Sequence, residues 1–487
     1  MKKTKIYTLI LATSTLLFFD SCRKEFLDVN TDPNNPKDVT PELLLPAATA
    51  HHCFILGGQY QIIGGFWSQY LTQGPTGNQY NNYDQYQIPN TTFDRQWVEL
   101  YSSNLEDYKI IAEKGVSENK QNYAAIGYIM QAYIFQLLTD LHGNIPYSQA
   151  LQGVSNISPA FDKQETIYHN LAQMVDKGIS LIDYDAAAII PGDDDFIYHG
   201  DMFLWEEFAN TLKLRIYLRM SEADPTAAMD GITQMMANNP FFLEGGEDGY
   251  MEFLSGVGFQ NPIYAEVQSL GNQNLLASNT AINFFISNAD PRIDVFYMPA
   301  STGPNSGAQT GINQGDGKTP NFPSDAAPDD FSQPGEAVAG AAAPVILMSA
   351  AESYFLQAEA VARGWMAGDA QQLYESGITA SFDLWGVTLD PAFLTQPGIA
   401  YPVGAPVADQ VKAIVTQKWA AMCNNQSIEA WNEWRRTGYP DFFVVSTTSL
   451  IGNQFPVRLP YPNSEIQTNP NTPGQPLATD KVWWDVN

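Results

Sequence analysis

Between Gln59 and Trp97 the chain interleaves aromatic rings with side-chain amides, QYQIIGGFWSQYLTQGPTGNQYNNYDQYQIPNTTFDRQW. Trp67, Tyr70, Tyr80, Tyr83 and Tyr86 alternate there with Gln and Asn, Asn78 and Asn82 among them. From Gln73 to Asn90 there is no helical period, and Gly74, Pro75, Gly77 and Pro89 interrupt the backbone, so the stretch reads as an exposed loop. A ring's apolar face stacks on the C–H face of a sugar, and amides pair with sugar hydroxyls. The chemistry on offer is therefore carbohydrate binding, although a peptide can use the same surface. The plainer alternative is that the tyrosines cover the core while their hydroxyls reach water. Tyr264 and Asn272, in the middle of the chain, are further candidates.

Motifs for bond-making chemistry are missing. The sequence contains no HExxH, P-loop, strand-linked GxGxxG, GxSxG or CxxC pair. His51, His52, His142, His169 and His199 lack metal-ligand spacing. Asp193, Asp194 and Asp195 follow a proline–glycine pair without EF-hand spacing and read as an acidic turn. The expectation is no catalytic residue, no metal and no cofactor. A glycosidase needs only two carboxylates across a cleft, so that enzyme class stays open as an alternative.

The elements that must carry the loop are helices. In residues 344–384, Met348, Ala351, Phe355, Ala358, Ala362 and Trp365 recur at spacings of three and four, one face of a helix that Pro344 could begin. Gly364 and Gly368 mark its end, and Asp369 is the N-cap of a second helix lined by Ala370, Tyr374, Gly377 and Ser381. The spacing is close to a tetratricopeptide unit with one extra residue. A first helix is expected near Pro41–Glu42 with Thr40 as N-cap, and helical stretches over 95–114 and 122–139. Helix pairs are expected over 122–184, 201–237, 346–385 and 407–437. Residues 240–343, rich in Gly, Pro, Asn, Gln and Asp, read as an ordered loop-rich insertion with one short helix near 279–288. The expected fold is mainly α: tetratricopeptide-like helix pairs form a scaffold packed against a loop-rich irregular portion.

Charge and the N-terminus bound the partners. With 24 Lys+Arg against 53 Asp+Glu, a net charge of −29, the chain repels phosphate backbones, which argues against nucleic acid. Lys2, Lys3 and Lys5 precede an apolar run from Ile6 to Phe19, 14 residues and too short to span a bilayer. Asp20-Ser21-Cys22 closes it like a lipoprotein cleavage site, with Asp20 where a small or apolar residue is usual. Residues 1–21 are thus expected as signal peptide, Cys22 as the lipidated first residue, 22–40 as a tether and 41–487 as a single domain; a plain secretory signal is the alternative. Cys53 and Cys423 remain as two buried thiols or one disulfide.

Seven stretches carry a family resemblance: CRKEFLDVNTDPNNP (22–36), TDLHGNIPYSQA (139–150), WEEFANTLKLRIYLRMS (205–221), DPRIDVFY (290–297), ESYFLQAEA (352–360), QKWAAMCNNQSIEAWNEWRRTGYP (417–440) and RLPYPNSEIQTNP (458–470). In this order the chain resembles the SusD/RagB nutrient-binding outer-membrane lipoproteins. The resemblance implies four tetratricopeptide-like helix pairs and a lipid anchor in the outer leaflet of the outer membrane, at the cell surface. It also implies a lid that captures an oligosaccharide, or in some members a peptide, for a SusC-like TonB-dependent transporter. Members are binding proteins and not enzymes. Trp431, Trp434, Arg435 and Arg436 fall in a stretch read as structural, its rings and guanidiniums stacking and pairing carboxylates internally.

Overall fold

The computed structural model describes residues 39–271 and 273–487. Helix α1 (Pro41–Ile55) starts at the expected place, although the Thr40 side chain makes no capping bond. A kinked turn leads into α2 (Gln61–Trp67) and strand β1 (Leu71–Gln73). Then come α3 (Glu106–Ser117), α4 (Gln121–His142) and α5 (Gln164–Ile179), each packed on the next. α6 (Met202–Arg219), capped by Asp201, pairs with α7 (Pro225–Met236), capped by Asp224. The expected acidic turn before α6 is partly internal. Asp195 is buried and accepts from Gly200 N and from Trp205 Nε1 at 2.7 Å, so it orders the entry to the helix.

The middle region is more ordered than its composition suggests. It contributes β2 (Gly249–Met251), α8 (Pro262–Leu270), β3 (Leu275–Ala277) and the expected short helix Asn279–Ser287. β4 (Tyr297–Met298) and β5 (Gln333–Pro334) follow and pair with each other. β1 pairs antiparallel with β3, Leu71 opposite Ala277 and Gln73 opposite Leu275, which stitches the middle region to the aromatic N-terminal segment.

One expected boundary moves. Val345–Met348 forms β6, antiparallel to β2, and the helix begins only at Ala350. Four apolar residues with β-branched members suit a buried strand, and Ser349 supplies the N-cap by accepting from Glu352 N at 3.1 Å. Helices α9 (Ala350–Ala362) and α10 (Ala370–Leu384) form the expected hairpin, with Gly364 at φ +75° after the first and Asp369 capping the second. α11 (Val407–Ala421) and α12 (Ser427–Thr437) complete the helix pairs of a tetratricopeptide-like scaffold. Among the described residues no helix is long and apolar enough to cross a membrane. Cys53 and Cys423 are separate buried thiols.

A buried charge network locks the scaffold. Arg436, fully buried, donates to both carboxylate oxygens of Glu359 on α9 at 2.7 Å each and to Glu433 at 3.0 and 2.7 Å. Arg219 on α6 donates to Glu433 at 2.7 Å and also pairs with Glu429, while Lys418 on α11 lies 3.3 Å from Glu433. Arg435 sits between the rings of Trp431 and Trp484, 3.8 and 4.5 Å from their centroids. The tandem tryptophan–arginine stretch is thus internal cement, as its composition suggested.

Candidate functional site

The aromatic segment folds inward. Trp67, Tyr70, Tyr80, Tyr83 and Tyr86 are each at most 4% exposed. Trp67 packs on Trp431 at 4.8 Å and donates to Tyr83 O at 3.1 Å. Tyr70 packs on Trp419 at 5.1 Å and donates to its carbonyl at 2.5 Å. Tyr83 donates to Gln59 Oε1 at 3.0 Å, and the Tyr86 hydroxyl accepts from Ser446 N at 3.1 Å. The expectation of a segment that offers these rings to solvent is therefore corrected. Internal partners satisfy the hydroxyls, so the rings can be buried without an orphaned polar group. Asn78 is exposed, its Oδ1 accepting from Lys318 Nζ at 3.0 Å, and Asn82 is half-buried. Asn272 and Cys22 lie outside the described residues.

Asp84 explains why an irregular segment holds still. It is buried, and its Oδ2 accepts from Thr72 Oγ1 and Gln73 N at 2.8 Å each. Its Oδ1 accepts from Gln314 Nε2 at 2.6 Å. One carboxylate so ties the segment to β1 and to the middle region. Gln73 passes the order on: its Nε2 donates to Asn274 Oδ1 at 3.0 Å, and its Oε1 accepts from Tyr80 N at 2.8 Å. The approach is close enough that a Cβ on Gly77 would lie 2.2 Å from Asn274 Oδ1, so only glycine fits there.

These contacts bring Tyr80 and Tyr264 to one cleft of about 600 Å³, counted with the space open to solvent. Tyr264, Glu266 and Val267 come from α8, Asn274 and Leu275 from the start of β3, Met298 from β4, and Gln333 and Glu336 from β5 and the turn after it. The Tyr80 hydroxyl donates to Glu266 Oε1 at 2.5 Å, which fixes that carboxylate at the wall. Tyr264 is half-buried and Met298 is 41% exposed, so both offer apolar surface. Glu266, Asn274, Met298, Gln333 and Glu336 were not anticipated. The signal nearest to them was the Tyr264–Asn272 stretch, which ends two residues before Asn274. Among the described residues no cluster of three or more His, Cys, Asp or Glu is placed to hold a metal.

Sequence and structure comparisons then decide the family. The family described as SusD-like_2, "Starch-binding associating with outer membrane", matches residues 33–462. The chain belongs to it. Its fold is similar to that of a solved chitin-binding protein, with a TM-score of 0.78 and 25% identity over 92% of this chain and 100% of the other. It is similar also to a chitin-binding SusD homologue from Flavobacterium johnsoniae, with a TM-score of 0.77 and 26% identity over 91% and 99%. A SusD homologue from Bacteroides uniformis, 22% identical with a TM-score of 0.77 over 91% and 99%, shares the fold. No protein of curated function matches the chain.

The buried carboxylates of this SusD-like protein titrate in two opposite senses. Burial pushes Asp84 and Asp248 up to about 6, so both take up protons on folding. Their contribution grows as pH falls from about 7 toward 4. For Glu359 and Glu433 burial alone would raise the carboxyl, but Arg436 and the neighbouring cations outweigh it and hold both below the usual range. Their contribution is present above the unfolded carboxylate value, about 4.3, and is lost as pH falls through the lower folded value. Thermal melts from about pH 8 to 3 are expected to show Tm rising to a maximum near pH 5 and then falling steeply. A Tm that falls steadily from pH 7 downward would contradict this assignment.

Proposed function

We propose that this SusD-like protein captures an oligosaccharide in the cleft between α8, β3 and β4. In this reading the protein is a lid that hands its ligand to a SusC-like TonB-dependent transporter. A lipid on Cys22 anchors it at the cell surface in the outer leaflet of the outer membrane, and it binds without chemistry. The observation that carries the reading is the cleft: apolar surface from Tyr264 and Met298 beside Asn274 Nδ2 and Gln333 Oε1, the amide atoms left over by the bonds of these side chains to Gln73 and Asp329. Such a wall suits a sugar, whose C–H face packs while its hydroxyls find amides. The family membership and the chitin-binding relatives support a glycan as the ligand. A few such contacts, set against the entropy of binding, give affinities in roughly the micromolar-to-millimolar range, which suits a lid that must release.

The test is affinity electrophoresis and titration calorimetry on the unlipidated chain from residue 23, which omits Cys22. Chitin and starch oligosaccharides serve as ligands, with a Tyr264→Ala, Met298→Ala variant alongside. Binding weakened about tenfold or more in the variant, with no new reducing ends after incubation, is expected. Released products would move the protein to the glycosidases. Unchanged affinity in the variant would move the site elsewhere. Co-purification with a β-barrel transporter from mildly solubilised outer membranes tests the partner.

A further inference from the structure

Glu266 and Glu336 line the cleft, and among the described residues no Lys, Arg or His does. Glu266 spends one oxygen on the Tyr80 hydroxyl, and its Oε2 has no hydrogen bond among the described residues. Glu336 is exposed and has no ion-pair partner among them. Two cations on neighbouring segments have partners of their own. Lys318 donates to Pro75 O at 2.8 Å and to Asn78, while Arg95, in the adjoining recess that shares Glu266, is paired with Glu99 at 2.9 Å. Around the cleft lies a chain of net charge −29. Two carboxylates without a counter-cation make a local negative potential that a ligand must either match or avoid.

On the reading of the cleft as a glycan site, we propose that it selects its sugars by charge. It favours units that carry a protonated amine over their N-acetylated or neutral counterparts, and it rejects uronate- or sulfate-bearing chains. Glu336 is the selecting residue, because it is exposed and uncommitted, whereas Glu266 is held by Tyr80. The N-acetylated unit still binds through the apolar surface of Tyr264 and Met298. A unit charge a few ångströms from a half-solvated carboxylate changes affinity by roughly tenfold, and salt screens the effect.

The experiment is calorimetric titration of the mature protein near pH 6 with three oligosaccharides of equal length: chitin-derived, fully deacetylated chitosan-derived, and oligogalacturonate. The expected result is that the deacetylated oligomer binds about tenfold more tightly than the acetylated one and that the uronate does not bind. In Glu336→Gln the ratio of deacetylated to acetylated affinity falls most of the way to one, and in about 1 M salt the wild-type preference shrinks as well. Equal binding of acetylated and deacetylated oligomers, or uronate binding as tight as either, overturns charge selection and leaves glycan capture standing. Failure of every oligosaccharide to bind overturns glycan capture at this cleft, and charge selection with it. Glu336 is at the surface, so its glutamine variant tests selection and not folding.

Discussion

Arg436→Ala is expected to cost the fold about 3–5 kcal/mol, because it leaves carboxylates buried without their cation. Glu359 would keep only Arg363 at 2.8 Å, and Glu433 only Arg219 and Lys418. The guanidinium also donates to Ser221 Oγ at 2.9 Å, just beyond α6, so its loss loosens α6, α9 and α12 together. With total stabilities of about 5–15 kcal/mol, one such change removes a large share. Urea denaturation should show the midpoint falling with little change in slope. Lys412→Ala, at the exposed Lys412–Asp441 pair, is the control and should cost no more than about 1 kcal/mol. Joint replacement of Arg436 by Met and Glu359 by Leu should cost less than the sum of the single changes, since an apolar pair leaves no orphaned charge. Equal effects at the buried and exposed pairs would remove the network from its role as cement.

How much of this was legible in sequence follows from which interactions are local. The helix pairs were, because an apolar period of 3.6 and a capping residue such as Asp369 are written within a few positions of each other. Strand β6 was misread as the first turn of α9. Pro344 and the apolar run after it satisfy both templates, and the choice is made by β2, about a hundred residues away, pairing with Val345–Met348. The aromatic segment was misread for a similar reason. Rings beside amides look the same in sequence whether the amides await a ligand or already hold the hydroxyls. Gln59 holding Tyr83 and Glu266 holding Tyr80 decide between the two, and those partners lie 24 and 186 residues away. The family resemblance, carried by stretches in order, survived both misreadings, since it rests on neither boundary nor exposure.

Asp84→Ala should destabilise by about 3–5 kcal/mol and, unlike Arg436→Ala, should act on ligand capture directly. Two buried donors lose their acceptor, Thr72 Oγ1 and Gln73 N, each at a cost of about 1–3 kcal/mol, and Gln314 Nε2 loses its shortest bond while keeping Leu71 O at 3.0 Å. Gln73 is also the link to Asn274 and Tyr80, so the cleft wall loses its register while the helix pairs, held by their own charge network, remain. Oligosaccharide affinity is expected to fall by more than about tenfold with far-ultraviolet circular dichroism nearly unchanged. Asp84→Asn separates charge from geometry. Its carbonyl can still accept from Thr72 and Gln73, and its amide can donate to Gln314, whose Oε1 is buried without a partner and can turn to meet it. That turn gives up the Gln314 Nε2 bonds to Leu71 O at 3.0 Å and Phe66 O at 3.3 Å, so a net cost of about 1–2 kcal/mol is expected near neutral pH. The asparagine variant should bind nearly as the wild type and lose the part of the Tm rise between about pH 7 and 5 that Asp84 supplies. If alanine melts like the wild type, Asp84 is not the knot. If asparagine loses binding as completely as alanine, the carboxylate's charge and not its shape organises the cleft.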